Sequence, residues 1–209
     1  MDMCVEHGVK NLLYASSSSV YGDRNDGCPF KETDPVDSQM SPYAVSKRTN
    51  ELMARNYHNI YGLNTMGLRF FTVYGPNNRR DMAMWKFTDA IYHGKEIELY
   101  NNGRCLRDFT YIEDITNGML FIINQTEKWD NGAVNIGGGN IIMVGELPYI
   151  ISEFLGKEAI IKYIGAQQGD VGVTHACVDK ISQVFGYTPR WNLRDGVKNY
   201  VEWYLSTQR

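Results

Sequence analysis

The 209-residue sequence predicts an α/β protein with a mostly parallel sheet. Short apolar runs alternate with longer amphipathic ones along the chain, and Gly, Pro and Asn punctuate them. Hydrophobic residues at 43% and charged residues at 22% give the balance of an ordinary globular domain, which excludes disordered and low-complexity classes.

Residues 1–9 (MDMCVEHGV) read as the last turns of a helix capped at Gly8, so an opening element is expected to be missing. Residues 11–16 (NLLYAS) form a buried strand that runs into four serines, placing a polar loop at its carboxyl end. Gly, Pro and charge make 23–39 a surface loop. Ser41-Pro42 opens a long helix, with Leu52, Tyr57 and Ile60 on an apolar side, and Gly62 stops it. Residues 65–71 (TMGLRFF) are a second strand, 72–80 a loop and 82–93 a helix ending at Gly94. A short strand at 97–100 leads to an Asn101-Asn102-Gly103 turn, an extended 109–111 and a helix at 113–124. A strand at 133–136 enters the Gly137-Gly138-Gly139 loop, 144–155 is helical and 160–164 extended. Helices at 179–185, closed by Gly186, and 193–205 end the chain.

A net charge of −3 argues against nucleic acid or an anionic membrane as partner, while leaving room for a small anionic ligand held by a few arginines. The best apolar run, 119–123, is too short to span a bilayer, and residues 1–9 lack a secretory pattern, so a cytoplasmic protein is expected. Cys4, Cys28, Cys105 and Cys177 form no CxxC pair and have no histidine at ligand spacing, so neither a metal site nor a disulfide framework is expected.

Tyr43 and Lys47 are four apart on one helix and share a face. A phenol is a poor base near neutral pH, and an ammonium group within a few Å favours its deprotonated form. The serine cluster at the carboxyl end of the first strand adds a hydroxyl able to bridge substrate and phenol. Ser, Tyr and Lys in this order make a proton-transfer set for a nicotinamide-dependent enzyme, in which a hydroxyl proton leaves as hydride departs from the same carbon.

SSSSVYG (16–22), SPYAVSK (41–47), LRFFTVYGP (68–76) and RDFTYIEDI (107–115), with GDV at 169–171 and GVKNYVEWY at 196–204, together resemble the extended short-chain dehydrogenase/reductase superfamily. Within it the chain is most similar to NAD-dependent nucleotide-sugar epimerases, those acting on UDP-glucuronate in particular. The resemblance implies the C-terminal portion of a Rossmann-type doubly wound parallel sheet with a small mixed α/β substrate-binding domain. Residues 1–75 would be the remainder of the dinucleotide-binding domain, and 76–209 mainly the nucleotide-sugar domain, with about 97–125 returning to the first.

The same resemblance implies Ser17 as the catalytic hydroxyl, Tyr43 as the base and Lys47 as its partner. Tyr43, Lys47 and Ser16 would face NAD. Ser18 and Thr72 would contact the sugar, Arg79 its carboxylate, Arg107 the diphosphate and Asp170 the nucleotide ribose. A homodimer through the helix at 43–61 and a UDP-sugar substrate complete the expectation. Dehydratases of the superfamily carry an Asp-Glu pair, and decarboxylases an acidic residue, after the catalytic hydroxyl; Ser18 and Ser19 stand there in this chain. Asn77-Asn78 replace Trp-Gly, and Arg80 replaces Pro. The glycine-rich first turn for the cofactor pyrophosphate has no counterpart, so roughly 100 residues are expected to be missing. Three readings stand: a 4-epimerase, another nucleotide-sugar reductase or decarboxylase, or an inactive truncated fragment.

Overall fold

The structure, a computed structural model, describes residues 1–24, 27–165 and 171–208. The chain opens with α1 (Asp2–Glu6) and β1 (Asn11–Ser17), then α2 (Pro42–Tyr61), β2 (Asn64–Phe70), β3 (Thr72–Tyr74) and α3 (Ala83–Tyr92). It continues with β4 (Glu96–Leu99), β5 (Leu106–Tyr111), α4 (Ile112–Ile123), β6 (Ala133–Ile136) and β7 (Ile141–Met143). α5 (Leu147–Leu155), β8 (Ile160–Tyr163), β9 (Val173–Thr174), α6 (Asp179–Phe185) and α7 (Leu193–Ser206) complete it. None of the described helices is long and apolar enough to cross a membrane.

Among the described residues, β1, β2 and β6 form a parallel sheet with β2 in the middle, its register running from Asn11 opposite Asn64 to Ser17 opposite Phe70. Ser17, Phe70 and Ile136 therefore end their strands at one edge of the sheet. β3 and β5 pair in parallel, β7 joins β5 antiparallel and β9 joins it in parallel, while β4 and β8 form a separate parallel pair. Burial separates two main cores. Met66, Leu68, Ile115, Ile122, Val134 and Ile181 pack around the first sheet, and Tyr74, Phe87, Phe109, Leu147, Val197 and Tyr200 fill the other.

The helix that matters most to function is built by rule. Ser41 is extended and its Oγ accepts the Ala44 amide at 3.1 Å, Pro42 occupies the first turn, and Gly62, at φ 68°, ends the helix in the left-handed region.

Differences from expectation have local causes. The loop expected at 72–80 contains β3, since Thr72–Tyr74 gain a ladder with Phe109–Tyr111 that local sequence cannot reveal. The helix expected over 144–155 begins as α-helix only at Leu147, because Pro148, lacking an N–H, is tolerated in a first turn but not in an interior; residues 144–146 form a 3-10 turn. β7 and β9, at three and two residues, exist through their pairing with β5 and leave no periodic signal.

The RDFTYIEDI block turns out to be largely a fastening device. Asp108, wholly buried, accepts backbone N–H groups from Gly138 at 2.9 Å, Gly139 at 3.3 Å and Ala176 at 3.1 Å. Asp114, 1% exposed, accepts the Tyr187 hydroxyl at 2.7 Å and the amides of Arg190 and Trp191 at 2.9 and 3.0 Å. The two carboxylates thus tie β5 and α4 to three later segments of chain.

Candidate active site

A cleft of about 620 Å³ lies where the carboxyl edge of the first sheet meets β3, the loop after it and the start of α4. Ser16, Ser17, Ser18, Tyr43, Lys47, Thr72 and Arg79 all line it. Residues far apart in sequence are brought together because β1 and β2 are parallel neighbours and α2 starts beside their ends.

Lys47 donates from Nζ to the Ala15 carbonyl at 3.1 Å and lies 5.7 Å from the Tyr43 ring centroid. An ammonium has three donors, so this tether fixes the charge beside the phenol and leaves two for a ligand. Tyr43 is 55% exposed, its ring forming one wall of an open cleft. Ser17 Oγ accepts from the Ser19 amide at 3.2 Å and the Ser19 hydroxyl at 3.0 Å. A hydroxyl has two acceptor positions and one donor, so both of its lone pairs are engaged and the Ser17 proton is left to point at an incoming oxygen.

Ser16 borders the cleft, but its hydroxyl turns inward and donates to Glu51 Oε1 at 2.6 Å. Glu51 in turn takes Arg69 Nε and Nη2, each at 2.9 Å, and Arg48 Nη1 at 3.2 Å. Burial acts to raise the Glu51 pKa, but the Arg69 hydrogen bonds and charge, with the Ser16 hydroxyl and Arg48, outweigh it and hold the carboxyl below its ordinary range. This network pins α2 to β1 and β2 one helical turn along from Lys47. Sequence reading missed it, although an arginine in the apolar run TMGLRFF demands a buried anionic partner and was a usable signal.

Arg79 donates from Nε to Asp81 at 3.0 Å, with a second bond from Nη2 to the same carboxylate, at the rim of the cleft. Arg107 sits in an adjoining cavity of about 210 Å³ that shares Thr72, Val73, Tyr74, Asn78 and Met82 with the cleft. Its Nη1 donates to the Leu106 carbonyl at 2.9 Å. Asp170 lies outside the described residues.

The rim is held by a tight turn. In Gly75-Pro76-Asn77-Asn78 the Asn78 amide donates back to the Gly75 carbonyl at 3.1 Å, Pro is second and Asn77, third, has φ 61°, the pattern of a type II turn. Gly75 has φ 154°, and a Cβ there would meet Ile112 Cγ2 at 2.3 Å, so α4 packs against a backbone only glycine allows.

Parallel strands ending in hydroxyls beside a helix-borne Tyr-Lys pair define an α/β protein of the short-chain dehydrogenase/reductase class, with Rossmann-like topology. The chain belongs to the NAD dependent epimerase/dehydratase family, whose profile matches residues 1–137. It is 42% identical over 219 aligned residues, covering 97% of this chain and 65% of the relative, to Protein CapI of Staphylococcus aureus. It is 36% identical to the UDP-glucuronate 4-epimerase of Thermodesulfobacterium geofontis, covering 97% of this chain and 62% of that protein. The chain therefore spans less than two thirds of these curated relatives. Among solved structures, the UDP-glucuronic acid 4-epimerase of Bacillus cereus, in complex with UDP-glucuronic acid and NAD, superposes with a TM-score of 0.93 at 27% identity, over 99% of this chain and 65% of that one.

Proposed function

We propose that the protein is a nucleotide-sugar 4-epimerase acting on a UDP-hexuronic acid or UDP-hexose, UDP-glucuronate being the first substrate to test. One observation carries this choice within the family. The described lining of the cleft supplies a phenol, an ammonium group, serine and threonine hydroxyls and a guanidinium, but no carboxylate. Eliminating water across a carbon–carbon bond needs an additional acid and base beyond those that serve the carbinol, whereas inverting one carbinol does not.

The residues present fit the nicotinamide-ribose end of a nicotinamide nucleotide, while the glycine-rich turn expected for its pyrophosphate has no counterpart in this sequence. Lys47 keeps two donors for a ribose diol, and the cleft opens at the carboxyl ends of parallel strands, where such ligands bind in α/β sheets. Bound NAD supplies reversible hydride acceptance at the sugar carbon. Tyr43 takes the C4 hydroxyl proton and later returns it, with Lys47 held beside its ring by the Ala15 carbonyl. Ser17, with its lone pairs engaged by Ser19, donates to the C4 oxygen and so polarises a C4 carbonyl for re-reduction. Arg107 holds the diphosphate while the ring turns to present its other face. Arg79, already bidentate to the Asp81 carboxylate, has the geometry to exchange it for the sugar carboxylate.

Incubation with NAD and UDP-glucuronate, followed by NMR, should show inversion at C4. Tyr43→Phe should lower the rate by about 10²–10⁴-fold, the contribution of a positioned base, with an unchanged circular dichroism spectrum. Full activity in that variant would refute the scheme, and loss of CO₂ or of water in place of inversion would reassign the reaction.

A further inference from the structure

Asn78 is not among the residues assigned to catalysis or binding above, yet its amide Nδ2 is fully buried and has no hydrogen-bond partner. Buried donors are satisfied in the great majority of cases, so one without an acceptor points to a partner supplied from outside the chain. Among the described residues with such atoms, Asn78 is the one bordering the catalytic cleft. It also lines the cavity of Arg107 and a third, of about 540 Å³, whose lining includes Asp89, and so stands where the catalytic cleft adjoins both.

Its position is determined rather than incidental. The type II turn fixes its backbone, with Gly75 locked against Ile112 and Asn77 in the left-handed region. Neither the catalytic cleft nor the Arg107 cavity has a carboxylate in its described lining, and Asp89 in the third cavity accepts the Tyr204 hydroxyl at 2.8 Å, not the Asn78 amide. A ligand reaching from Tyr43 and Ser17 to Arg107 passes Asn78 on the way, and in a nucleotide sugar the atoms between ring and nucleoside are the diphosphate oxygens.

We propose that Asn78 is a substrate-binding residue whose Nδ2 donates to an oxygen of the phosphate that bears the sugar. The inference rests on the nucleotide-sugar reading of the cleft and names the contact that grips the substrate at the pivot about which its ring turns.

The test is isothermal titration of the full chain with UDP-glucuronate, UDP and UMP, the last lacking the sugar-bearing phosphate. Asn78→Ala should weaken UDP-glucuronate and UDP by about 10- to 100-fold, as expected for a hydrogen bond to a charged group, and leave UMP within about twofold. Asn78→Asp keeps the shape but replaces the donor by a repelling oxygen, and should weaken UDP more than alanine does; it carries the same test if the alanine variant does not fold. Unchanged UDP binding in a folded variant, or an equal loss for UMP, overturns the assignment of Asn78 while leaving the nucleotide-sugar reading intact. Failure of the unsubstituted protein to bind UDP and UDP-glucuronate overturns both.

Discussion

Glu51 shows how a single side chain can support chemistry it never touches. It gathers Ser16, which borders the cleft, with Arg48 and Arg69, and both Glu51 and Arg69 are buried, at 7% and 4% exposure. Removing one partner of such a pair strands the other, at a cost of about 3–5 kcal/mol. Glu51→Gln should therefore lower stability markedly near neutral pH. The carboxyl is held below its unfolded-state pKa of about 4.3, so its stabilisation is present above that value and is lost as pH falls through the lower, folded-state pKa. Urea denaturation of both proteins across this range should show the difference between them shrinking as the pH drops below about 4. A difference that stays constant would mean the carboxylate charge is not what the network uses. Neighbouring Glu32 runs the other way: burial, only partly offset by its bond from the Asn135 amide, raises its pKa, so the two carboxyls have opposite signs and must be tested separately.

At the level of α2, capping and catalysis share the same turn. Ser41 caps the helix two residues before Tyr43, so the bond from the Ala44 amide to Ser41 Oγ aligns the backbone that aims the phenol. Ser41→Ala should cost about 1 kcal/mol. In a protein of this length that corresponds to about 2–4 °C in Tm, readable by calorimetry. Because the first turn frays, the same change should lower kcat by more than it raises KM. An unchanged Tm would show that Pro42 alone suffices to start the helix. The type II turn at 75–78 plays the equivalent part in another wall of the cleft, where Gly75 and Asn77 meet the backbone conformation the turn requires.

For the molecule as a whole, the outer face of α2 is an exposed apolar stripe among the described residues. Val45, Leu52, Met53 and Ile60 recur at helical spacing along one stripe and are 51%, 54%, 45% and 61% exposed, while only Ala44, Glu51 and Ala54 are buried. A stripe of this kind suits an isologous, self-complementary contact, and we propose that it forms a two-fold homodimer. Sedimentation should find a dimer in the unsubstituted protein and a monomer in Val45→Glu/Met53→Glu. A monomer in both would assign the stripe another role. Dimerisation would also immobilise the helix bearing Tyr43 and Lys47, so loss of the dimer should reduce turnover.

Much of this was legible in the chain. Ser41-Pro42 and Gly62 bracket α2 almost to the residue, and NLLYAS predicts β1, because caps, prolines and period are local properties written into neighbouring residues. Tyr43 and Lys47 are placed together by helical spacing alone. Tertiary structure decided what depends on partners distant in sequence. β3, β7 and β9 exist through their pairing with β5, and Ser16 turned its hydroxyl inward because Glu51 lies beneath it. The aspartates of RDFTYIEDI proved to be fastenings, and Asn78 acquired meaning only when two cavities met at its unpartnered amide. Helix starts and stops are set within a few residues, but burial and hydrogen-bond satisfaction are set by whatever the fold brings alongside.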